Sequence, residues 1–343
     1  MMKRLSNNLW HLSLALPCMM LAMGCEQEAE NNEPVELQIA PVVAVTRSAI
    51  EGGTQNNNKM QSVAVYATGT DYTAEKSNNY AIYTQSSGTW TNNNTEKIYL
   101  TNEAATIYAY YPTDTRYDAN LKIPVTLLEG TEATTITAVD NAGQSSTAIA
   151  SADGEVDCMW ATSVGSVTNK SNQSNGVTLS MNHALSMVSF RVCKGDTYKG
   201  SGVLTKIVMK DINSSGTTLD KGTNPMMEIT TGNITTGAAQ DATYTRTIQN
   251  SYTLPTAAND AKKFSILVLP TTASIGSDKI EATFTIDNAD YSVKLTAPSD
   301  NEGKWLAGKN NLYTINLSGT GLAIQKVEVA AWQEVAGGTL EIK

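Results

Sequence analysis

The residues of this chain that could do chemistry are few, and their surroundings argue against catalysis. Histidine occurs only twice, and His183 alone lies clear of the N-terminal leader described below. As the base of a nucleophilic triad it would need a serine on a strand-to-helix elbow, and no Gly-x-Ser-x-Gly precedes a helix. His183 sits instead inside the strand-like run Met181-Asn182-His183-Ala184-Leu185, which suits a histidine held in a core or groove. The run Gly303-Lys304-Trp305-Leu306-Ala307-Gly308-Lys309-Asn310 nearly spells a phosphate-cradling loop. That loop needs Ser or Thr after its Lys to hold magnesium, and it must open a helix. Here Asn310 follows, and 312–317 alternates as a strand. The acids of Asp153-Gly154-Glu155-Val156-Asp157 supply oxygen ligands for a surface calcium, without the spacing of a calcium loop. Asp287 and Asp290 fall in a turn, where aspartate serves the backbone. Nothing selects two acids for glycoside hydrolysis. The chain is therefore not read as an enzyme, and no cofactor or metal is expected.

Cysteine and tryptophan each leave two readings open. Cys18 falls in the leader and Cys25 at its end, so Cys158 and Cys193 remain. An oxidising compartment would let these two pair as a disulfide. Equally, each sits in an apolar, strand-like run where a free thiol acts as a small hydrophobe. Trp90, Trp160, Trp305 and Trp332 are spread through both halves. Large buried area makes them core residues first, and a sugar-binding platform is the alternative.

The elements that must position these residues are strands. Thr, Val, Ile and Tyr recur, with Asn, Gly and Ser clustered between them. Strands are expected at 61–68, 80–84, 97–100, 106–111, 121–127, 134–139 and 156–162. Pro112 stops the fourth, because proline donates no ladder bond. The polar stretch 163–176 reads as an interdomain region, or else as a long loop inside one domain. A second set is expected at 177–192, 204–212, 226–230, 264–269, 279–286, 291–295, 312–317 and 324–332. No stretch holds a helical period over three turns. Short strands with turn residues at this spacing argue for sandwiches or barrels. A length of 343 residues suits two domains, each able to bury a core.

The N-terminus reads as an export signal. Lys3 and Arg4 precede a mainly apolar run, 9–23, that ends at Gly24-Cys25. This is the layout of a signal peptide over 1–24, too short and too early for a membrane span. Leu21-Ala22-Met23-Gly24-Cys25 resembles a bacterial lipobox, with Ala22 where Leu is usual. Cys25 would then be the acylated first residue, anchored stably by several chains. An ordinary signal peptide is the alternative. Residues 26–34 are polar and acidic and read as a tether, and 37–45 alternates weakly as one more strand. The net charge of −9, with no local Lys or Arg cluster, excludes nucleic acid as a partner.

Taken in order, several pieces resemble the fimbrillin family of Bacteroidota, the subunits of type V pili. They are Cys25, Thr46-Arg47, Val63-Ala64-Val65-Tyr66, Tyr108-Ala109-Tyr110-Tyr111-Pro112 and Asp157-Cys158-Met159-Trp160-Ala161. His183-Ala184-Leu185-Ser186-Met187-Val188-Ser189-Phe190, Trp305 with Gly308, Asn311 and Tyr313, and 327–332 complete the set.

The resemblance implies two transthyretin-like β-sandwiches in tandem, expected over 48–176 and 177–343 after a tether and propeptide at 25–47. It implies a lipoprotein of the outer membrane, exposed at the surface and joining a fimbrium after processing. An arginine-specific protease would cut between Arg47 and Ser48, removing the leading strand. The partners implied are other fimbrial subunits, the membrane through the lipid, and a host or bacterial surface ligand. The candidate donor strand is the C-terminal segment 324–343, where Val327, Val329 and Ala331 alternate with polar neighbours. The same segment also reads as the last strand of the second domain. A monomeric, glycan-binding surface lipoprotein is the alternative function.

Overall fold

Strands supply nearly all of the regular structure, as the Thr, Val and Tyr content leads one to expect. The computed structural model describes residues 33–43, 60–69, 79–92, 95, 97–130, 135–137, 149–172, 176–297, 302–319 and 321–331. In chain order the first strands are β1 (Val35–Glu36), β2 (Ile39–Val43), β3 (Ser62–Thr68), β4 (Tyr80–Ser86), β5 (Thr89–Asn92), β6 (Tyr99–Leu100) and β7 (Ala105–Tyr111). There follow β8 (Lys122–Pro124), β9 (Thr135–Thr137), β10 (Ile149–Ala150), β11 (Met159–Ala161), β12 (Val164–Val167), β13 (Val177–His183) and β14 (Ser186–Lys194). Next come β15 (Val203–Asp211), β16 (Met226–Glu228), β17 (Ile234–Thr235), β18 (Thr243–Thr253) and β19 (Lys263–Val268). The last four are β20 (Ile280–Ile286), β21 (Ala289–Leu295), β22 (Lys309–Ser318) and β23 (Gly321–Ala331). One 3-10 turn, Ala258–Asp260, is the sole helical element among the described residues. The protein is all-β.

The first core lies inside a curled sheet of order β2-β13-β11-β7-β3-β4-β5, with β12 also paired to β7. Alternation drives it. In β13, Val177, Leu179, Met181 and His183 are buried while Thr178, Ser180 and Asn182 are exposed, the period-two pattern of a half-buried strand. The inward positions join Val63, Val65, Ile107 and Ala109 in one apolar cluster.

The second core is a sandwich. One sheet runs β10-β19-β14-β22-β23 and the other β21-β20-β15-β18-β9. Their inner faces meet around Phe190, Phe284 and Tyr313; the Phe190 and Phe284 rings cross edge-to-face at 5.3 Å. Central β14 is buried along almost its whole length, with β19 antiparallel on one side and β22 parallel on the other. A strand covered on both faces has little room for a polar side, and the two serines of β14 are buried with its apolar residues.

A third apolar cluster joins these two cores. Ala64, Tyr80 and Tyr110 of the first sheet pack on Leu185, Met187, Met227, Leu267 and Leu269. Trp160 adds to this contact: a Cβ built on Gly232, which has φ +72°, would lie 2.0 Å from its Nε1. Only glycine fits that turn.

The chain crosses between the two cores in ways that the alternation pattern does not mark. The run 177–192 is two strands, broken at Ala184-Leu185. The first, β13, lies beyond the boundary expected after 176, yet pairs with β11 and β2 in the first sheet. Conversely, β8, β9 and β10, which lie before that boundary, pair with β16, β18 and β19 of the second half. Pairing between strands distant in sequence is set by shape and burial, which period alone does not encode.

Candidate functional site

The site expected from the sequence is the leading strand and whatever holds it. Residues 33–43 run along one edge of the first sheet. β1 pairs antiparallel with β6. β2 then pairs parallel with β13, Ile39 opposite Val177 and Val43 opposite Met181. Between them Leu37 is 1% exposed and Ile39 7% exposed, both inside the first core. Burying two such side chains is worth about 1.5–3 kcal/mol each. Beyond Ile39 the hold weakens: Val42 is 53% exposed.

Hydrogen bonds complete the attachment. The Leu37 amide donates to the Ile98 carbonyl at 2.8 Å, and the Val177 amide donates to the Gln38 carbonyl at 2.8 Å. Tyr83 donates its hydroxyl to the Leu37 carbonyl at 2.7 Å, within the core. Two asparagines of the polar stretch 163–176 act as clamps. Asn172 accepts from the Gln38 amide at 3.0 Å and donates to the Glu36 carbonyl at 2.8 Å. Asn169 donates to the Glu33 carbonyl at 3.1 Å. Gly176, at φ +73°, lets the backbones close: a Cβ there would sit 2.9 Å from the Gln38 carbonyl carbon.

Alongside the strand opens a cleft of about 610 Å³. Its walls are residues 36–40 on one side and the β4–β5 hairpin on the other, with Tyr83 and half-buried Trp90 facing in. The curl of the sheet brings its two outer strands, β2 and β5, to the same opening. Lys97 spans the opening to Glu36 at 2.6 Å, and that hydrogen bond holds the Lys97 ammonium above its ordinary range.

At the other end of the chain, β23 is the outer strand of its sheet and pairs antiparallel with β22 from Ser318↔Gly321 to Lys309↔Ala331. Leu322, Ile324 and Val327 pack on the second core, and Val329 is half-buried. Residues 321–331 are thus the last strand of the second sandwich, the second of the two readings open for this segment. The remainder, 332–343, lies outside the described residues, as do Trp332, Cys25, Arg47 and Ser48.

Other residues singled out by type are structural. Cys158 and Cys193 are both free and buried, so the candidate disulfide does not form. Cys158 lies in the joining cluster, whereas Cys193 on β14 points at the Ile315 carbonyl, 3.5 Å away. Burial raises both thiols above their ordinary range. Trp305 is fully buried and donates from Nε1 to the Tyr313 hydroxyl at 3.0 Å, which removes it from any sugar platform. The near-miss phosphate loop leads into strand β22, not a helix.

Of the three acids read as a surface loop, Asp153 is exposed, while Glu155 and Asp157 lie in the interior. Asp157, 0% exposed, pairs with His183 Nδ1. Burial pushes its carboxyl above the usual carboxylate range, against the pull of the imidazole. Glu155, 1% exposed, pairs with Arg246 at 3.0 Å and also accepts from the Leu267 amide at 2.7 Å. Both carboxylates are committed to internal partners, which argues against a surface calcium built from them. Sequence reasoning missed Arg246 and the two asparagine clamps. The one available signal was the alternation of Tyr244, Arg246 and Ile248, all buried on β18.

A family pattern described as fimbrillin-like matches residues 46–332. No curated protein matches the chain. Among solved structures, a protein described as a cell adhesion protein from Bacteroides uniformis ATCC 8492 is similar at TM-score 0.56 and 17% identity, over 88% of this chain and 98% of that one. Another so described, from Bacteroides ovatus ATCC 8483, is similar at TM-score 0.57 and 14% identity, over 89% and 99%. A fimbrial protein from Bacteroides vulgatus ATCC 8482 is similar at TM-score 0.50 and 12% identity, over 88% and 100%. At these identities the likeness is one of fold.

Proposed function

Since the chain belongs to the fimbrillin-like family, whose pattern spans residues 46–332, we propose that it is a surface fimbrial subunit that polymerises by strand exchange. In this reading Cys25 carries the lipid that holds the precursor on the outer membrane, and an arginine-specific protease cuts after Arg47. Residues 33–43 then leave, and Ser48 becomes the first residue.

The observation that supports the reading is how the leading segment is built into the first core. Its loss uncovers the sites of Leu37 and Ile39 and strips β13 of its parallel partner. A sheet edge with an apolar trough beneath it is a template for another chain's strand. An incoming strand gains main-chain hydrogen bonds and burial together. The leading segment keeps that template filled until cleavage. Because the acceptor lies in the first core and the donor comes from the C-terminal segment, the contact is head-to-tail and extends as a filament. With 321–331 paired to β22, the donor is drawn from residues beyond 331.

The test is proteolysis of purified precursor with a trypsin-like enzyme. High-molecular-weight ladders that survive detergent without heating are expected, with Ser48 at the new N-terminus. Arg47→Ala abolishes both. A chain that is cut at Arg47 and stays monomeric refutes the exchange.

A further inference from the structure

A second cavity, of about 430 Å³, shares no lining residue with the cleft beside the leading strand. It lies where the start of β3 and the end of β7 meet strand β8, which belongs by its pairing to the second half. Pockets at such junctions, of roughly 300–1,000 Å³, are where small ligands usually bind. Its floor is formed by Tyr111, Ile123 and Cys158, each no more than 2% exposed.

Two features of the lining restrict what fits. The polar lining residues are Ser62, Thr113, Asp114, Thr115 and Thr126, with the Ser62 and Thr113 hydroxyls 2.9 Å apart in a hydrogen bond. Pro112, Pro124 and Val156 add carbon to the lining. No Lys, Arg or His lines the cavity among the described residues. The nearest guanidinium in sequence, Arg116, lies 4.5 Å over the Tyr80 ring. A carboxylate with no cation among the lining residues disfavours phosphate, sulfate and carboxylate ligands by repulsion and desolvation. Hydroxyls that both donate and accept, beside a carboxylate that only accepts, match a ligand with several neighbouring hydroxyl groups. The apolar lining matches the C–H face of a ring.

We infer that this cavity binds one neutral pyranose residue of a surface glycan, with Asp114 accepting from ring hydroxyls and Pro112 and Pro124 against the ring face. This site differs from the tryptophan platform considered from sequence. Asp114 and Thr115 are exposed at its rim while the floor is buried, so a terminal sugar enters without any rearrangement of the core.

The experiment is saturation-transfer NMR on the full precursor with the methyl glycosides of galactose, glucose and mannose, and with n-butylammonium as a cationic probe. At least one glycoside saturates with a Kd of roughly millimolar strength. Asp114→Asn weakens it about tenfold or more, the loss expected for a hydrogen bond to a charged group. Trp90→Ala, at the separate cleft, leaves it unchanged. The inference is overturned if no glycoside saturates, if butylammonium alone does, or if Trp90→Ala removes binding and Asp114→Asn does not. Because Asp114 is exposed in a loop, its substitution tests binding without threatening the fold; matching thermal midpoints verify this.

Discussion

Among the described residues, β2 and β23 occupy equivalent places, each at the edge of a sheet, yet they are attached very differently. β2 has five residues, pairs parallel, and turns a half-exposed valine outward. β23 has eleven residues and follows β22 antiparallel along nearly its full length. Parallel pairing is slightly weaker per residue, and a short strand has fewer residues over which to gain. What secures the leading segment is concentrated in Leu37, Ile39 and side-chain clamps from Asn169 and Asn172. The first half is therefore completed by a piece that a single backbone cut would detach. The second core, among the described residues, is edged by the long strand β23, whose neighbour β22 precedes it directly in the chain. That asymmetry is what a subunit needs if only one of its cores is to accept a neighbour.

Removing one charge of the second core should have the largest effect, and it should not depend on the leading segment. Arg246→Ala strands the Glu155 carboxylate in the interior, and breaking a buried pair in this way costs about 3–5 kcal/mol. Denaturant unfolding should show that loss equally in intact and Arg47-cleaved protein. A loss confined to the intact form would mean that the leading segment also supports the Glu155–Arg246 pair.

Leu37→Ala addresses the first half. Emptying a fully buried leucine site costs about 2–5 kcal/mol, and here the cost should fall on the intact precursor alone. Hydrogen exchange at the β13 amides should speed up before global unfolding does. Exchange that stays as slow as in the parent protein would show that residues 33–43 are not what closes the first core.

The smallest change sharpens the comparison further. Asn172→Ala removes one side chain that grips the leading segment twice, through Gln38 N–H and the Glu36 carbonyl. Each such bond is worth about 0.5–1.5 kcal/mol net. Cleavage-triggered assembly should then proceed faster with little shift in the overall unfolding midpoint. Unchanged assembly kinetics would assign the hold to Leu37 and Ile39 alone.

Much of this was legible in the sequence and some of it was not, for identifiable reasons. β13, β20 and β21 were readable because each keeps its polar residues on one face, and the hairpin across Asp287 and Asn288 because both residues accept positive φ, at +51° and +64°. β18 was not, although it is as long as any strand in the fold. Its segment Thr243-Tyr-Thr-Arg-Thr-Ile-Gln-Asn looks like loop, because the inward position 246 carries arginine. Glu155 and Asp157 looked like surface acids for the complementary reason: their partners lie 91 and 26 residues away. Asn169 and Asn172 hid in a stretch whose composition marks a linker.

Period and composition by themselves determined the β class and the existence of a strand ahead of Arg47, because each is a property of neighbouring residues. The tertiary structure decided which core each strand joins, which polar residues are buried as pairs, and that Cys158 and Cys193 stay apart. Those outcomes depend on which distant segments are brought together, and burial then reverses the meaning of a residue: the same carboxylate that favours water on the surface becomes, beside Arg246, a fixed point of the interior.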